Sequence, residues 1–255
     1  MSKFKTMPGD LDIVRGAVLL EKANPYRDPS TGRFTTGGGG GAPVSEGELQ
    51  LKHFERQVDK AYGTGEEAFT IANTGDNSTA ALGEYLARGH TVNDNLRNSA
   101  TMGEAGYIDF GDGKTYADSS VVKGLDNAIE MAPPVGNQLV WRTTSSDAIR
   151  SLKKGGVYMD KGYTSTTAVD ITHPENGKLL LTLATVSSGK KSIMEIKTGK
   201  GKGLYMPRMF PGQPIADFEK EFLMPRNTKM KYLGADYRFL SRDQVIEVHQ
   251  FKVVD

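Results

Sequence analysis

The sequence contains no cysteine. That excludes disulfides, thiolate nucleophiles and cysteine-ligated zinc together. Histidine is scarce: His53, His90, His173 and His249 are scattered without metal-ligand spacing and are expected as packing or surface residues, so no metal is expected. No apolar run approaches the roughly 20 residues needed to cross a bilayer. Residues 1–20 lack an apolar stretch followed by a small-residue cleavage site, so no signal peptide is expected. Neither sign of charge dominates: the formal net charge of +1 gives no global drive towards nucleic acid or membrane. Common catalytic signatures are missing too. Gly113-Lys114-Thr115 has Ile108 where a phosphate loop needs its earlier glycine. Asp109-Phe110-Gly111 has no kinase catalytic loop beside it, and no Gly-x-Ser-x-Gly elbow occurs. Residues 111–114 are better read as a hairpin turn.

What is present is a 255-residue chain, 37% hydrophobic and 25% charged, enough for a packed core under a charged surface. Residues 1–43 differ from the rest. They hold the turn-rich Asn24-Pro25-Tyr26-Arg27-Asp28-Pro29 and five consecutive glycines, Gly37 to Gly41, which read as a flexible arm and linker. A short helix over residues 13–23 is expected within that arm, with the compact domain spanning residues 44–255. Ser45-Glu46-Gly47-Glu48 has capping-box spacing ahead of a helical pattern. Further helices are expected at residues 66–73, 79–88 and 121–131, the last stopped by Pro133-Pro134. From Gln138 onward the pattern turns to short strands: 139–141, 179–185, 192–197, 222–224, 230–233 and 245–254. Helices first and strands afterwards predict an α+β domain. Lys190, Lys191, Lys197, Lys200, Lys202 and Arg208 face only Glu195 within residues 189–208, either a solvated lysine-rich hairpin or a basic rim for an anionic ligand.

Three segments carry chemistry. In Asp217-Phe218-Glu219-Lys220-Glu221-Phe222-Leu223, an extended chain would put Glu219 and Glu221 on one face, roughly 7 Å apart along the backbone. Two carboxylates so close disfavour joint ionisation unless cations or hydroxyl donors compensate. Alone, such a strand is a solvated face. Leu139-Val140-Trp141-Arg142-Thr143-Thr144 ends an apolar run on a lone arginine, and Gly162-Tyr163-Thr164-Ser165-Thr166-Thr167 is rich in hydroxyls. Each by itself is an ordinary strand.

Taken in this order, the three segments resemble the arginine–serine–glutamate class of mono-ADP-ribosyltransferases, which includes clostridial-type binary toxins and arginine-specific ectoenzymes. The similarity covers about residues 45–255. It implies an ADP-ribosyltransferase fold: N-terminal helices followed by two packed, steeply crossed β-sheets around a cleft for NAD, which is substrate. By this resemblance Arg142 binds an NAD phosphate or the nicotinamide-side ribose, Thr143 holds the nicotinamide amide through its backbone, and Ser165 orients Glu221. Thr166 and Thr167 support the cleft. The family often has serine at the position of Thr167. Glu221 stabilises the oxocarbenium-like transition state as nicotinamide leaves, and Glu219 serves an arginine acceptor, where an asparagine-directed relative would have glutamine. Residues 207–218 form the loop that meets the target protein, with Phe210 the candidate exposed aromatic.

The arm, Asn24-Pro25-Tyr26-Arg27-Asp28-Pro29-Ser30-Thr31-Gly32-Arg33-Phe34 and its glycines, resembles linkers of tailed-phage head-morphogenesis proteins. That implies a phage-encoded protein, anchored to capsid or portal, packaged in the virion and acting on a host protein in the host cytoplasm. A secreted bacterial effector is the alternative origin. An NAD glycohydrolase, or a virion structural protein with an inactive transferase fold, remains open as an alternative function.

Overall fold

Ser45 opens the first long helix as its side chain predicts. Its hydroxyl accepts the Glu48 backbone N–H at 3.2 Å, satisfying a donor that the first turn leaves without a partner. The Glu48 carboxylate turns to Lys52, one turn ahead, at 2.6 Å. A computed structural model describes residues 13–14, 45–63, 78–98, 107–109, 115–145, 147–176, 179–180, 191–241 and 244–254. In chain order these form β1 (Ile13–Val14), α1 (Glu46–Tyr62), α2 (Ser78–Asn98), β2 (Tyr107–Asp109), β3 (Thr115–Ala117), α3 (Asp118–Met131), β4 (Leu139–Ser145), α4 (Asp147–Arg150), β5 (Val157–Thr167), β6 (Lys191–Lys197) and β7 (Leu204–Tyr205). Then follow α5 (Met206–Met209), α6 (Pro214–Glu219), β8 (Glu221–Ser241) and β9 (Gln244–Val253). No helix among the described residues is long and apolar enough to cross a membrane.

Seven strands form one sheet in the order β1-β9-β6-β4-β5-β8-β7, which the long β8 also closes onto β9, and β2 and β3 pair as a separate two-stranded sheet. The first half of β8 pairs antiparallel with β5 and β7, and its second half with β9. β9 continues into parallel β6, and β6 into antiparallel β4. Among the described residues β4 and β5 pair at a single position, Trp141 opposite Thr167, so the two strands diverge from that junction. Arg142 on β4 and Ser165 on β5 both lie within two residues of that junction.

The helices back the site from one side. Phe54 of α1 is buried edge-on to Tyr205 and Phe222, at 5.3 and 5.4 Å between ring centres. Burying a ring of that size contributes about 2–3 kcal/mol, and here it presses α1 onto the start of β8. A second core gathers Trp141, Ile171, Ile193, Ile246 and Val248. At its edge the Trp141 indole donates to Glu195, which also holds Arg238 at 2.5 Å. A buried carboxylate of this kind is tolerated because a cation meets it.

Several expectations need correcting. Ile13 and Val14 are strand, paired with Val245 and Ile246 at the free edge of β9; two β-branched residues beside an open edge favour pairing over helix. The rest of the arm and residues 66–73 lie outside the described residues. Leu179 and Leu180 are helical, not strand, and both belong to the second core, while residues 181–185 lie outside the described residues. The helix expected to end at Arg88 kinks there, at φ −142°, and runs on to Asn98. Residues 222–224 and 230–233 belong to one strand. Pro225 does not break it because it sits where the β5 register shifts, and a proline at a bulge costs no ladder bond. β2 and β3 pair antiparallel across residues 111–114, as the hairpin reading expects.

Candidate active site

Glu219-Lys220-Glu221 is not extended. α6 ends at Glu219, Lys220 takes the left-handed conformation (φ 47°, ψ 42°), and β8 begins at Glu221. Pro214 at the start of α6 presets a helix that the period-two reading of residues 217–223 overlooked. The reversal at Lys220 therefore replaces the alternation that was to put both carboxylates on one strand face. A lysine in this region carries a steric cost of about 1 kcal/mol relative to glycine. The two carboxyls still interact electrostatically, Glu219 raising the pKa of Glu221.

Glu221 is buried and receives the Ser165 hydroxyl at 2.5 Å. β5 and β8 run antiparallel here, with Ser165 opposite Leu223 and Thr167 opposite Glu221, so the sheet register sets this contact. Neighbouring hydroxyls fasten the turn. Thr166 donates to the Phe222 carbonyl and Thr167 to the Glu219 carbonyl, at 2.6 and 2.7 Å. Burial pushes the Glu221 carboxyl up to about 7; the Ser165 bond opposes this, Glu219 adds to it, and Arg142 opposes it again. Burial alone raises Glu219, whose carboxylate has no hydrogen-bond or ionic partner among the described residues. At neutral pH one carboxyl is thus poised between its two states, and its neighbour is more basic than an ordinary glutamate.

Arg142 projects from β4 towards the same place. Its Nη1 donates to Asp160 Oδ2 at 2.7 Å, while its Nε is buried with no partner among the described residues. Asp160, on β5 and 1% exposed, also takes a two-pronged contact from Arg97 of α2, at 2.9 and 3.0 Å. Burial would raise the Asp160 pKa, but the two guanidiniums outweigh it and hold the carboxyl below its usual range. Arg97 also meets the exposed Asp94 at 3.6 Å, and the buried Arg142 Nε–H remains free among the described residues, a donor that fits an anionic phosphate ligand. The backbone follows the second half of α2 closely. Asn93 accepts the Tyr163 N–H at 2.7 Å, and a Cβ on Gly162 would lie 2.7 Å from the same Asn93 oxygen. Glycine is needed there for that approach.

The structure therefore brings Arg142, Ser165, Thr166, Thr167, Glu219 and Glu221 to one place. Thr143 lies on β4 beside Arg142, half-buried. Phe210 is a correction: it is half-buried and packs on the core, and residues 207–218 are mostly the two short helices α5 and α6. The exposed apolar side chains of that segment are Ile215 (50%) and Phe218 (43%), because α6 turns its Ala216 face inward. Sequence reasoning missed Asp160, Arg97 and Asn93. The single carboxylate of a strand whose other side chains, Lys161 apart, are apolar or hydroxyl-bearing was the available signal, since a buried acid requires a cation. Among the basic residues of 189–208, Lys202 donates to the Glu130 carbonyl and Arg208 pairs with Asp59. These contacts tie the segment to the helices. No three His, Asp or Glu side chains cluster as a metal site among the described residues.

The family model described as ADP-ribosyltransferase exoenzyme matches residues 59–250. No curated protein matches the chain closely enough to count as a relative. Among solved structures, the Plx2a ADP-ribosyltransferase toxin of Paenibacillus larvae is 16% identical, with 80% of this chain and 96% of that one covered and a TM-score of 0.55. The Vis ADP-ribosyltransferase of Vibrio splendidus, solved with agmatine, is 15% identical over 84% and 88%, at 0.52. The ADP-ribosylating BECa component of a C. perfringens binary enterotoxin, solved with NADH, is 13% identical over 80% and 48%, at 0.54. Identities this low show the fold: the α+β ADP-ribosyltransferase fold. The family match runs from the last turn of α1 into β9, across both glutamates and both arginines, and makes this chain a member of the ADP-ribosyltransferase exoenzyme family, transferases whose substrate is NAD.

Proposed function

We propose that the protein is a mono-ADP-ribosyltransferase that moves ADP-ribose from NAD to an arginine of a host protein. The observation that carries this reading is the asymmetry of the two carboxyls. Glu221 is buried on Ser165, whereas Glu219 is half-exposed, without a partner among the described residues, at the end of the segment bearing Ile215 and Phe218. In this reading Arg142 receives phosphate or ribose oxygens of NAD, and Thr143 the nicotinamide amide. The glycosidic bond to nicotinamide breaks with its electron pair leaving on the nicotinamide nitrogen. The ionised Glu221 holds a ribose hydroxyl and offsets the positive charge growing at the anomeric carbon. A guanidinium nitrogen then bonds to that carbon and gives its proton to Glu219. An arginine needs such a base because it is almost wholly protonated at neutral pH. Vis, of like fold, was solved with agmatine, itself a guanidino compound. The resemblance of residues 24–41 to phage head-morphogenesis linkers supports delivery with a virion into the host cytoplasm, with capsid or portal as anchor.

The test incubates labelled NAD and bacterial lysate with the wild type, Glu219→Ala and Glu221→Ala. Hydroxylamine-sensitive label on protein, absent with both variants, is expected, with nicotinamide release kept by Glu219→Ala alone. Free ADP-ribose without labelled protein would mean a glycohydrolase. No turnover of NAD at all would leave the virion structural reading.

A further inference from the structure

Lys220 occupies a backbone conformation that glycine adopts freely, directly between the two carboxylates. The backbone around it is already fastened. Its N–H donates to Ala216 at 3.0 Å, its carbonyl accepts from Ala168 at 3.0 Å, and the Glu219 carbonyl accepts from Thr167. None of these bonds uses the lysine side chain. That side chain reaches back to α1, where its ammonium lies 3.7 Å from Glu55 Oε1, and it also stands 3.8 Å from Asp217. The same Glu55 oxygen accepts the Tyr205 phenol at 3.0 Å. One turn further along α1, Asp59 holds Arg208 at 2.7 Å, and Tyr62 donates to the Gly203 carbonyl at 2.5 Å. Residues 55, 59 and 62 fall on one helical face. That face grips the chain from Gly203 to Lys220, the whole segment leading to Glu219.

We propose that Lys220, held by Glu55, is a positioning residue that fixes Glu219 for the acceptor and so sets how much cleaved ADP-ribose reaches a guanidinium instead of water. This rests on the arginine-transfer reading above. The ammonium is committed to α1 and Asp217, which leaves the Glu219 carboxylate without a neutralising partner and available as a base. Glu221 is set separately, by the β5 register and Ser165. Releasing Lys220 therefore acts on the acceptor half of the reaction and spares the donor half.

The experiment compares wild type, Lys220→Gly and Glu55→Gln in the full chain. Nicotinamide release is measured without acceptor, ADP-ribosyl-agmatine formation with saturating agmatine, and thermal unfolding for each variant. Nicotinamide release is expected to stay within about twofold of wild type. The share of cleaved NAD captured by agmatine is expected to fall about tenfold or more, as for a displaced catalytic group. Lys220→Gly should unfold no earlier than wild type, because glycine removes the left-handed strain, so lost structure would not account for lost capture. Unchanged capture in either folded variant would reduce Lys220 to a helix cap and overturn the proposal. A parallel loss of nicotinamide release would overturn it as well, by placing the effect on the donor half. A wild type that cleaves NAD but labels no guanidinium would sink the arginine reading and this proposal together, before any substitution is made.

Discussion

The Ser165 hydroxyl donates to Glu221 at 2.5 Å across the β5–β8 register, joining residues 56 apart in sequence. This bond, ahead of the Arg142 charge, opposes burial in setting the charge of the buried carboxyl. Removing it with Ser165→Ala should raise the Glu221 pKa further. Nicotinamide release at pH 7 is expected to fall roughly tenfold, the cost of a hydrogen bond to a charged group. Part of that loss should be recovered at higher pH. A pH profile of release with and without the hydroxyl checks it; an acid limb that does not move would be the contrary result.

Stability should show the same carboxyl with the opposite sign. The folded pKa of about 7 lies above the ordinary 4.5, so the folded chain holds this proton more tightly than the unfolded one. The contribution is fully present below pH 4.5 and is lost as the pH rises through 7. Glu221→Gln, which cannot ionise, is expected to be more stable than wild type above pH 7, by on the order of 3 kcal/mol. The gap should close on acidification towards pH 4.5. Thermal melts across this range would show it.

Asp160 is the counter-charge of two guanidiniums, and Asp160→Asn leaves both without it. Breaking a buried ion pair by removing one partner costs about 3–5 kcal/mol. Because Arg142 also loses its fixed orientation, the KM for NAD should rise in whatever fraction stays folded. Chemical denaturation and steady-state kinetics of this variant check both effects.

Gly201 supplies a purely structural control. Its φ is +68°, and a Cβ there would lie 2.2 Å from the Gly136 carbonyl oxygen. That same turn bonds the Val135 and Gly136 N–H groups to the carbonyls of Gly201 and Lys200. Gly201→Ala is expected to cost about 3 kcal/mol or more, since strain and a backbone clash combine. Its melting temperature should drop while any folded protein keeps the wild-type pH profile.

Much of this was legible in the sequence because it rests on local rules. The Ser45 cap, the helix stopped before Pro133-Pro134 and the alternating strand ending at Val253 each follow from nearest neighbours. Arg142, Ser165 and Glu221 came from no local rule: each segment alone is an ordinary strand, and only the resemblance of the three in order to the arginine–serine–glutamate transferases singled them out. What escaped depends on distant partners. Asp160 has meaning only once the kink at Arg88 has carried Arg97 to it, and no local pattern announces that meeting. Alternation also misled at residues 218–221, where Pro214 and a left-handed lysine impose a helix end on a sequence that counts well as a strand. The ring of Phe210 reads in the sequence as an exposed contact, but it packs on the core and the inward turn of α6 exposes Phe218 instead.

β8 begins at Glu221 and runs as one continuous strand, paired first with β5 and then with β9. Amide hydrogens just beyond the carboxylate should therefore exchange with solvent only when the domain unfolds as a whole, while those of the short exposed helix before it exchange through local opening. The boundary between these regimes falls at one peptide unit. Upstream of it, Ala216 is buried and its carbonyl holds the Lys220 N–H, so within α6 it is the exposed Ile215 and Phe218 whose replacement should cost folding little. Surface chemistry can thus be varied at these two positions while the Ser165–Glu221 contact, set by the strand register, stays as it is.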